Sequence, residues 1–315
     1  MKTLKEAARA YATEHADRDG LAFTPVPGLR IMCVCEPRAP MHSVYRPLVC
    51  LVLQGAKHMT VGLEERVVSA GQTVLVGADM PVVGRILQAT EDEPYLAVAV
   101  EFEIASLREL AATMGSARPQ RPGGMRTLFV EDSEAAVLDC AMRLLRLVDR
   151  PEASPLLRPG ILKELQYWLL SGQHGPSLRA LVAPDGYESR LGQAIDLLRA
   201  DYRGRIPVER LASAAAMSPT AFHKHFKNLT SLTPHQYQQR LRLLEARRLM
   251  LDGGCSATSA AFEVGYESAS QFTREYRRLF SVPPKQDAMK IRRNQGSAKG
   301  TLLAAAGGGR SFARV

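Results

Sequence analysis

Gly265-Tyr266-Glu267-Ser268-Ala269-Ser270-Gln271-Phe272-Thr273-Arg274-Glu275-Tyr276-Arg277-Arg278-Leu279-Phe280 decides the reading of the C-terminal half. Gly265-Tyr266 reads as a tight turn and Ser268 as the N-cap of a helix, because a serine hydroxyl can accept one of the unpaired N–H groups of the first turn. Phe272 and Tyr276 are four apart and share one face. Ala269, Ser270, Thr273, Arg274 and Arg277 fall opposite. Just upstream, Ala260, Ala261 and Val264 predict a short small-residue helix. The same plan occurs fifty residues earlier. Pro207 opens a helix with Leu211, Ala212 and Ala215 on its buried side, and Ala216-Met217 turn. Ser218 caps the next helix, with Pro219 at the first position, where a missing N–H costs nothing. Phe222 and Phe226 point in; Thr220, His223, Lys224 and Lys227 point out. These are two helix-turn-helix units in one chain. Between them Pro234 begins a long helix with Tyr237, Leu241, Leu244 and Met250 in its apolar pattern and Arg240, Arg242, Arg247 and Arg248 exposed. Such a connector is expected to set two reading helices about one DNA turn, about 34 Å, apart.

Charge agrees with this placement. The 315-residue chain has 41 Lys and Arg against 32 Asp and Glu, a net charge of +9. From Arg190 onward there are 21 basic and 9 acidic residues; residues 1–189 have 20 and 23. A near-neutral front and a strongly basic rear assign contact with a polyanion to the rear. With 46% hydrophobic residues the chain can bury real cores, which excludes disorder throughout and collagen-like or disulfide-knot classes. Five cysteines are odd in number and sparse, no secretory core follows Met1, and no apolar run reaches about 18 residues. A soluble, reduced, cytoplasmic protein is expected.

The front half reads as strands. Residues 48–53, 73–76, 81–83 and 96–100 are short apolar runs punctuated by Gly55, Gly62, Gly71 and Gly77, the pattern of a β-sandwich or barrel. Residues 54–58 read as a hairpin turn. Cys33 and Cys35 lie in an apolar run and are read as packed strand residues rather than a metal pair. Residues 1–20 read as a polar helix. Helical stripes follow at Val137–Val148 and Ile161–Leu169, the second closed by Gly172. Breakers around His174–Ser177 and Ala183–Gly186 mark a linker region. The Gly-rich segment 296–315 is expected to be a disordered tail.

Residues 190–290 resemble the DNA-binding domain of the AraC/XylS family of bacterial transcriptional regulators. The resemblance is strongest at 265–280, with the connector signature at Arg242-Leu243, Ala246 and Leu249-Met250 and the terminal proline at Pro284. It implies base-facing roles for Thr220, His223 and Lys224 in the first unit and for Ala269, Ser270, Thr273 and Arg274 in the second. Lys227, Arg277 and Arg278 would meet phosphates. The chain departs from the family pattern where Ala216, Ser231 and Ser281 replace glycines; if those positions need φ > 0, each replacement costs about 1 kcal/mol. The front half is similar to the AraC-type regulatory domain, through Tyr45-Arg46-Pro47, Val52-Leu53-Gln54-Gly55, Ala70-Gly71-Gln72, Pro94–Ala97 and Leu162–Gly172.

The expected architecture is thus two-domain α+β: an N-terminal cupin-like β-barrel with a helical appendage, and a C-terminal all-α double helix-turn-helix domain. Residues 1–180 form the regulatory or oligomerisation domain, 181–189 the linker, 190–290 the DNA-binding domain, with units at about 208–228 and 257–279, and 291–315 the tail. His42, Tyr45, Arg46, Gln54, Arg85 and Gln88 are candidates to line a pocket at the barrel mouth; the plainer reading makes them rim and surface residues. His223 and His225 stand at i and i+2 and so face apart on a helix, which disfavours a metal site. No cofactor, metal or catalytic set is expected. The function implied is a sequence-specific DNA-binding regulator of bacterial promoters, an activator, modulated through a small molecule or self-association. Double-stranded DNA, an effector, a second copy of the chain and RNA polymerase are the partners considered, and no membrane. A cupin-type enzyme tethered to DNA and an effector-independent architectural binder are the competing readings.

Overall fold

The structure, a computed structural model, describes residues 2–17, 19–38, 40–61, 64–115, 128–183, 186–251 and 254–289. The expected tail and part of the expected linker lie outside the described residues. Two compact units result: residues 1–200 with 206–237, and residues 201–205 with the chain from Gln238 onward.

The first unit opens with α1 (Leu4–His15). Its N-terminus is a complete capping box: the Glu6 N–H donates to the Thr3 hydroxyl at 3.2 Å and the Thr3 N–H to the Glu6 carboxylate at 2.8 Å. Among the described residues ten strands follow: β1 (Leu21–Phe23), β2 (Leu29–Val34), β3 (Met41–Tyr45), β4 (Leu48–Gln54), β5 (Ala56–Val61), β6 (Glu64–Ser69), β7 (Gln72–Val76), β8 (Met80–Gln88), β9 (Tyr95–Glu101) and β10 (Leu128–Asp132). They form two antiparallel sheets, a six-stranded one in the order β1-β2-β9-β4-β7-β10 and a four-stranded one in the order β3-β8-β5-β6. Among the described residues no ladder joins them, so the expected barrel is two layers rather than a closed cylinder.

Both faces of the large sheet are covered. One packs on α1, α2 (Ile104–Thr113), α3 (Ala135–Arg146), α4 (Ser154–Ser171) and α5 (Gly175–Val182), through a core including Ile31, Val49, Leu51, Val98, Leu144, Leu165 and Leu178. The other meets the small sheet through Val52, Val74, Met80, Ile86 and Tyr95. Double coverage explains why β4 and β9 read as continuous apolar runs without alternation. The edge strand β6 carries Glu64, Glu65 and Arg66, charges that discourage further strand pairing.

Three local readings are corrected. Residues 54–58 are a corner and not a hairpin turn. Gly55, at φ +77°, carries the chain from the large sheet to the small one, and a Cβ there would overlap the Gln88 carbonyl oxygen. Ala56, Lys57 and His58 are already strand. Residues 174–177 start α5, with Pro176 in its first turn, where proline is tolerated. Cys33 is half-buried near the end of β2, whereas Cys35 is exposed beyond it and is not packed.

The remaining helices are α6 (Tyr187–Ala200), α7 (Val208–Ala214), α8 (Pro219–Thr230), α9 (Pro234–Leu251), α10 (Ala257–Glu263) and α11 (Ala269–Phe280). In the first unit α6 packs on α7 and α8, and α8 touches β8. In the second, Leu243, Ala246 and Met250 of α9 meet Ala260, Ala261, Val264, Phe272 and Tyr276.

Candidate nucleic-acid interface

The two helix-turn-helix turns are built from the same backbone bonds. In the first, Met217 N–H donates to Ala212 O at 2.9 Å and Ala216 N–H to Ser213 O at 3.0 Å. In the second, Tyr266 N–H donates to Ala261 O at 3.0 Å and Gly265 N–H to Phe262 O at 3.0 Å. This paired pattern ends a helix with one left-handed residue. Gly265 fills that place at φ +88°, and Ala216 fills it at φ 50°. The reading helices start alike as well. Ser218 accepts the Ala221 N–H at 3.4 Å and Ser268 the Gln271 N–H at 3.3 Å. They also end alike, on Ser231 at φ 61° and Ser281 at φ 62°.

Aromatic pairs hold both helices down. Phe222 and Phe226 have ring centroids 5.3 Å apart, and Phe272 and Tyr276 are 5.4 Å apart. All four are fully buried. The Tyr276 hydroxyl donates to Asp287 at 2.6 Å, and Asp287 also accepts from Arg247 Nε at 2.9 Å. On the opposite faces Thr220, His223, Lys224 and Lys227 of α8 are exposed, as are Ser270, Thr273, Arg274, Arg277 and Arg278 of α11. Ala269 is half-buried. The Thr273 hydroxyl donates to Ala269 O at 2.8 Å, leaving its oxygen lone pairs outward. Among the described residues Lys224, Lys227, Arg274 and Arg277 enter no ion pair. Each helix therefore presents small polar groups beside free cations, the chemistry that reads base edges and neutralises phosphates. His225 is half-buried and packs against Tyr187, with ring centroids 4.3 Å apart and planes tilted by 38°.

The connector arginines are not the exposed row that the sequence suggested. Arg242 donates to the carbonyls of Tyr202 (2.6 Å), Arg203 (2.9 Å), Gly204 (2.9 Å) and Gly265 (3.0 Å). Burial lowers the pKa of Arg240. Arg247 is committed to Asp287, and only Arg248 is exposed, paired with Glu245 at 2.6 Å. Arg242 fastens two separate backbone segments, 202–204 and Gly265, to its own helix, which spacing along one helix cannot reveal.

The candidate pocket residues divide. Tyr45 and Arg46 line a cavity of about 230 Å³ between the sheets, together with Met32, Met41, Leu48, Cys50, Ala97 and Ala99. Arg85 and Gln88 are exposed on β8, His42 is half-buried on β3, and Gln54 is buried; none of these four borders the cavity. The residue missed is Lys57. Its side chain is 5% exposed and its ammonium donates to the Tyr45 hydroxyl at 2.9 Å. Burial pushes its pKa down, but Tyr45 and Cys50 more than offset this and hold the proton on. Room for its stem comes from Gly84 on the adjacent strand, where a Cβ would overlap Lys57 Cε. A lone glycine facing a lysine across two strands is a signal visible only once register is known.

Below this cavity Asp79, after β7, forms an ion pair with Arg199 of α6; their side chains are 13% and 19% exposed. Burial raises the Asp79 pKa to about 6 against the pull of Arg199, with Asp196 raising it further and Arg46 lowering it.

A sheet-bearing unit with an internal cavity stands in one chain with two helix-turn-helix units of like geometry. Residues 25–177 match the AraC-type transcriptional regulator N-terminus and residues 211–288 match a helix-turn-helix domain. The chain belongs to the AraC family of regulators, with an N-terminal regulatory domain. It is 34% identical over 103 residues to the HTH-type transcriptional activators RhaS of Yersinia pestis (strain Pestoides F) and of Yersinia pseudotuberculosis (serotype O:1b). That match takes in 33% of this chain and 38% of those relatives. Crystal structures of ToxT from Vibrio cholerae share the fold. The unsaturated fatty acid-bound form has a TM-score of 0.55 at 12% identity, over 82% of this chain and 94% of that one. Another crystal form has a TM-score of 0.57 at 10% identity, covering 83% and 97%. Among the described residues no helix is long and apolar enough to cross a membrane.

Proposed function

We propose that the protein is a sequence-specific, double-stranded-DNA-binding regulator of transcription whose reading surface is α8 and α11 and whose sheet-bearing part modulates it through a small molecule or self-association. The observation that carries this is the repetition of one geometry at two places: the same turn bonds, the same serine caps and the same aromatic anchoring beneath exposed faces of like chemistry. Thr220, His223 and Lys224 on α8, and Ala269, Ser270, Thr273 and Arg274 on α11, face bases. Lys227, Arg277 and Arg278 meet phosphates. The functional division follows residues 1–180, a linker at 181–189 and a DNA-reading region at 190–290. Activation, by analogy with the RhaS name, would bring RNA polymerase in as a partner. The internal cavity supports an effector, as do the ToxT structures with fatty acid bound to that protein. A second copy of the chain is the partner for self-association, and the cytoplasm is the compartment in which promoters are met.

Selection of bound duplexes from a random pool tests the reading. A motif with two half-elements about one turn apart is expected. Arg274→Ala should lose discrimination at a single base pair, by about 1–3 kcal/mol, with the rest of the motif intact. No enriched motif at physiological salt would reduce binding to backbone electrostatics and overturn the proposal.

A further inference from the structure

We propose that Cys33 and Cys35 form a two-coordinate site for a soft monovalent metal cation, of the class of Cu(I) and Ag(I). The proposal goes beyond the regulator reading and does not depend on it.

The pair sits where β2 ends. Alternation turns Val34 into the core between the sheets and Cys33 toward the face that α1 covers. The chain bends at Cys35, which is exposed, and its thiol still shares a side-chain hydrogen bond with that of Cys33. The two sulfurs therefore converge rather than splay. One of them is held and the other can adjust. Cys33 is fixed by the sheet: its register partner is Leu96 on β9, and its N–H donates to the Gly20 oxygen at 2.7 Å. Gly20 stands at φ +78°, where a Cβ would overlap the Cys33 carbonyl oxygen. Cys35 lies beyond the last rung of that ladder, Val34 with Tyr95.

The donor set chooses the metal. Thiolates select soft ions, and a structural zinc demands four ligands in a tetrahedron. Among the described residues no three His, Cys, Asp or Glu side chains are grouped as a metal site, so these two sulfurs have no third side-chain ligand beside them. A soft closed-shell monovalent ion is satisfied by two thiolates in line. Binding exchanges one cation and two thiols for a bis-thiolate complex of charge −1, with two protons released to water. A positive charge stands ready for that complex. Arg9 on α1 acts on Cys33 in the sense that favours its thiolate, and its guanidinium is steered by a bond to the Glu91 oxygen at 3.3 Å. A divalent ion would give a neutral complex, with nothing for Arg9 to offset. Peroxide sensing fits the pair less well. Burial raises the Cys33 pKa and Cys35 raises it further, more than Arg9 lowers it, whereas oxidant sensors are low-pKa thiolates.

The reduced full-length protein is titrated anaerobically with Cu(I) held by bathocuproine disulfonate, and separately with Ag(I) and Zn(II). One equivalent of Cu(I) should move to the protein and give the X-ray absorption edge of a linear two-sulfur site. Ag(I) should compete for the same place and Zn(II) should not. Cys35→Ser, a change at an exposed position, should abolish the uptake, as should Cys33→Ala, while Cys255→Ser keeps it. Thermal unfolding of the metal-free Cys35→Ser protein should match wild type, so that its lost uptake reads the ligand and not the fold. Arg9→Gln should weaken uptake about tenfold, as loss of an outer-shell partner does. Uptake that survives Cys35→Ser, a three- or four-coordinate spectrum, or zinc bound as tightly as Cu(I) overturns the proposal, as does no transfer of Cu(I) at all. Duplex selection is run on the same preparations with and without Cu(I). No enriched motif beside intact Cu(I) uptake would sink the regulator reading and leave the site standing.

Discussion

Ala216, Ser231 and Ser281 hold a left-handed backbone at φ 50°, 61° and 62°. A side chain there crowds the neighbouring carbonyl, at a cost of about 1–2 kcal/mol that glycine avoids. Ser231→Gly and Ser281→Gly should each raise unfolding free energy by about 1 kcal/mol in urea titrations, and unchanged midpoints would show that the serine hydroxyls compensate. These positions were legible as departures from a glycine pattern, as were the Ser218 and Ser268 caps, because caps and turns depend on neighbours in sequence. Lys57 was not. Its burial depends on β5 lying beside Gly84 of β8, a pairing that spans more than twenty residues and that no local pattern encodes. The pocket candidates fared unevenly for the same reason: Tyr45 and Arg46 border the cavity, whereas alternation along β8 turns Arg85 to solvent and Gln88 is exposed where the strand ends.

At the scale of elements, the long connector shows how far periodicity carries. The start of α9 at Pro234 and the burial of Tyr237 and Met250 follow from the sequence. The assignment of its arginines to solvent fails because Arg242 serves carbonyls from two other segments. Arg242→Met should destabilise the second compact unit by about 3 kcal/mol, since several charge-assisted bonds to partly buried carbonyls are lost together. A loss under about 0.5 kcal/mol in thermal unfolding would show that water replaces the guanidinium. Gly265→Ala should also be severe, because a Cβ there would overlap the Arg203 carbonyl oxygen that Arg242 helps to place. The reading helices carry a different kind of prediction. Lys227→Ala removes an exposed cation from α8 without touching its buried face. Affinity should fall to a similar extent on every duplex, and the log–log salt slope should shrink by about one. A changed base preference would place Lys227 on a base instead.

Across the first compact unit, sheet and helices meet at the pair of Asp79 and Arg199. The pair adjoins the cavity wall on one side and α6 on the other: Arg46, which lines the cavity, acts on Asp79, and Arg199 lies in α6, which packs on α8. The charged groups around Asp79 are Arg199, Asp196 and Arg46, and the Tyr237 hydroxyl adjoins the cluster. Folding raises the Asp79 pKa from 3.8 to about 6, chiefly through burial. A carboxyl raised in this way favours the folded state most below its unfolded pKa, and that contribution is lost as pH rises through about 6. Above that pH the charge persists in the fold chiefly because Arg199 faces it, with Arg46 adding to the effect. Arg199→Met should therefore be strongly destabilising at pH 8, by about 3 kcal/mol, where it leaves a buried carboxylate unpaired. At pH 5 the loss should be much smaller, because Asp79 is already protonated and needs no partner. The comparison is the difference between variant and wild type in urea midpoint at the two pH values, which cancels the titration of other carboxyls. An equal loss at both would show that Arg199 stabilises the unit by packing its stem rather than by its charge.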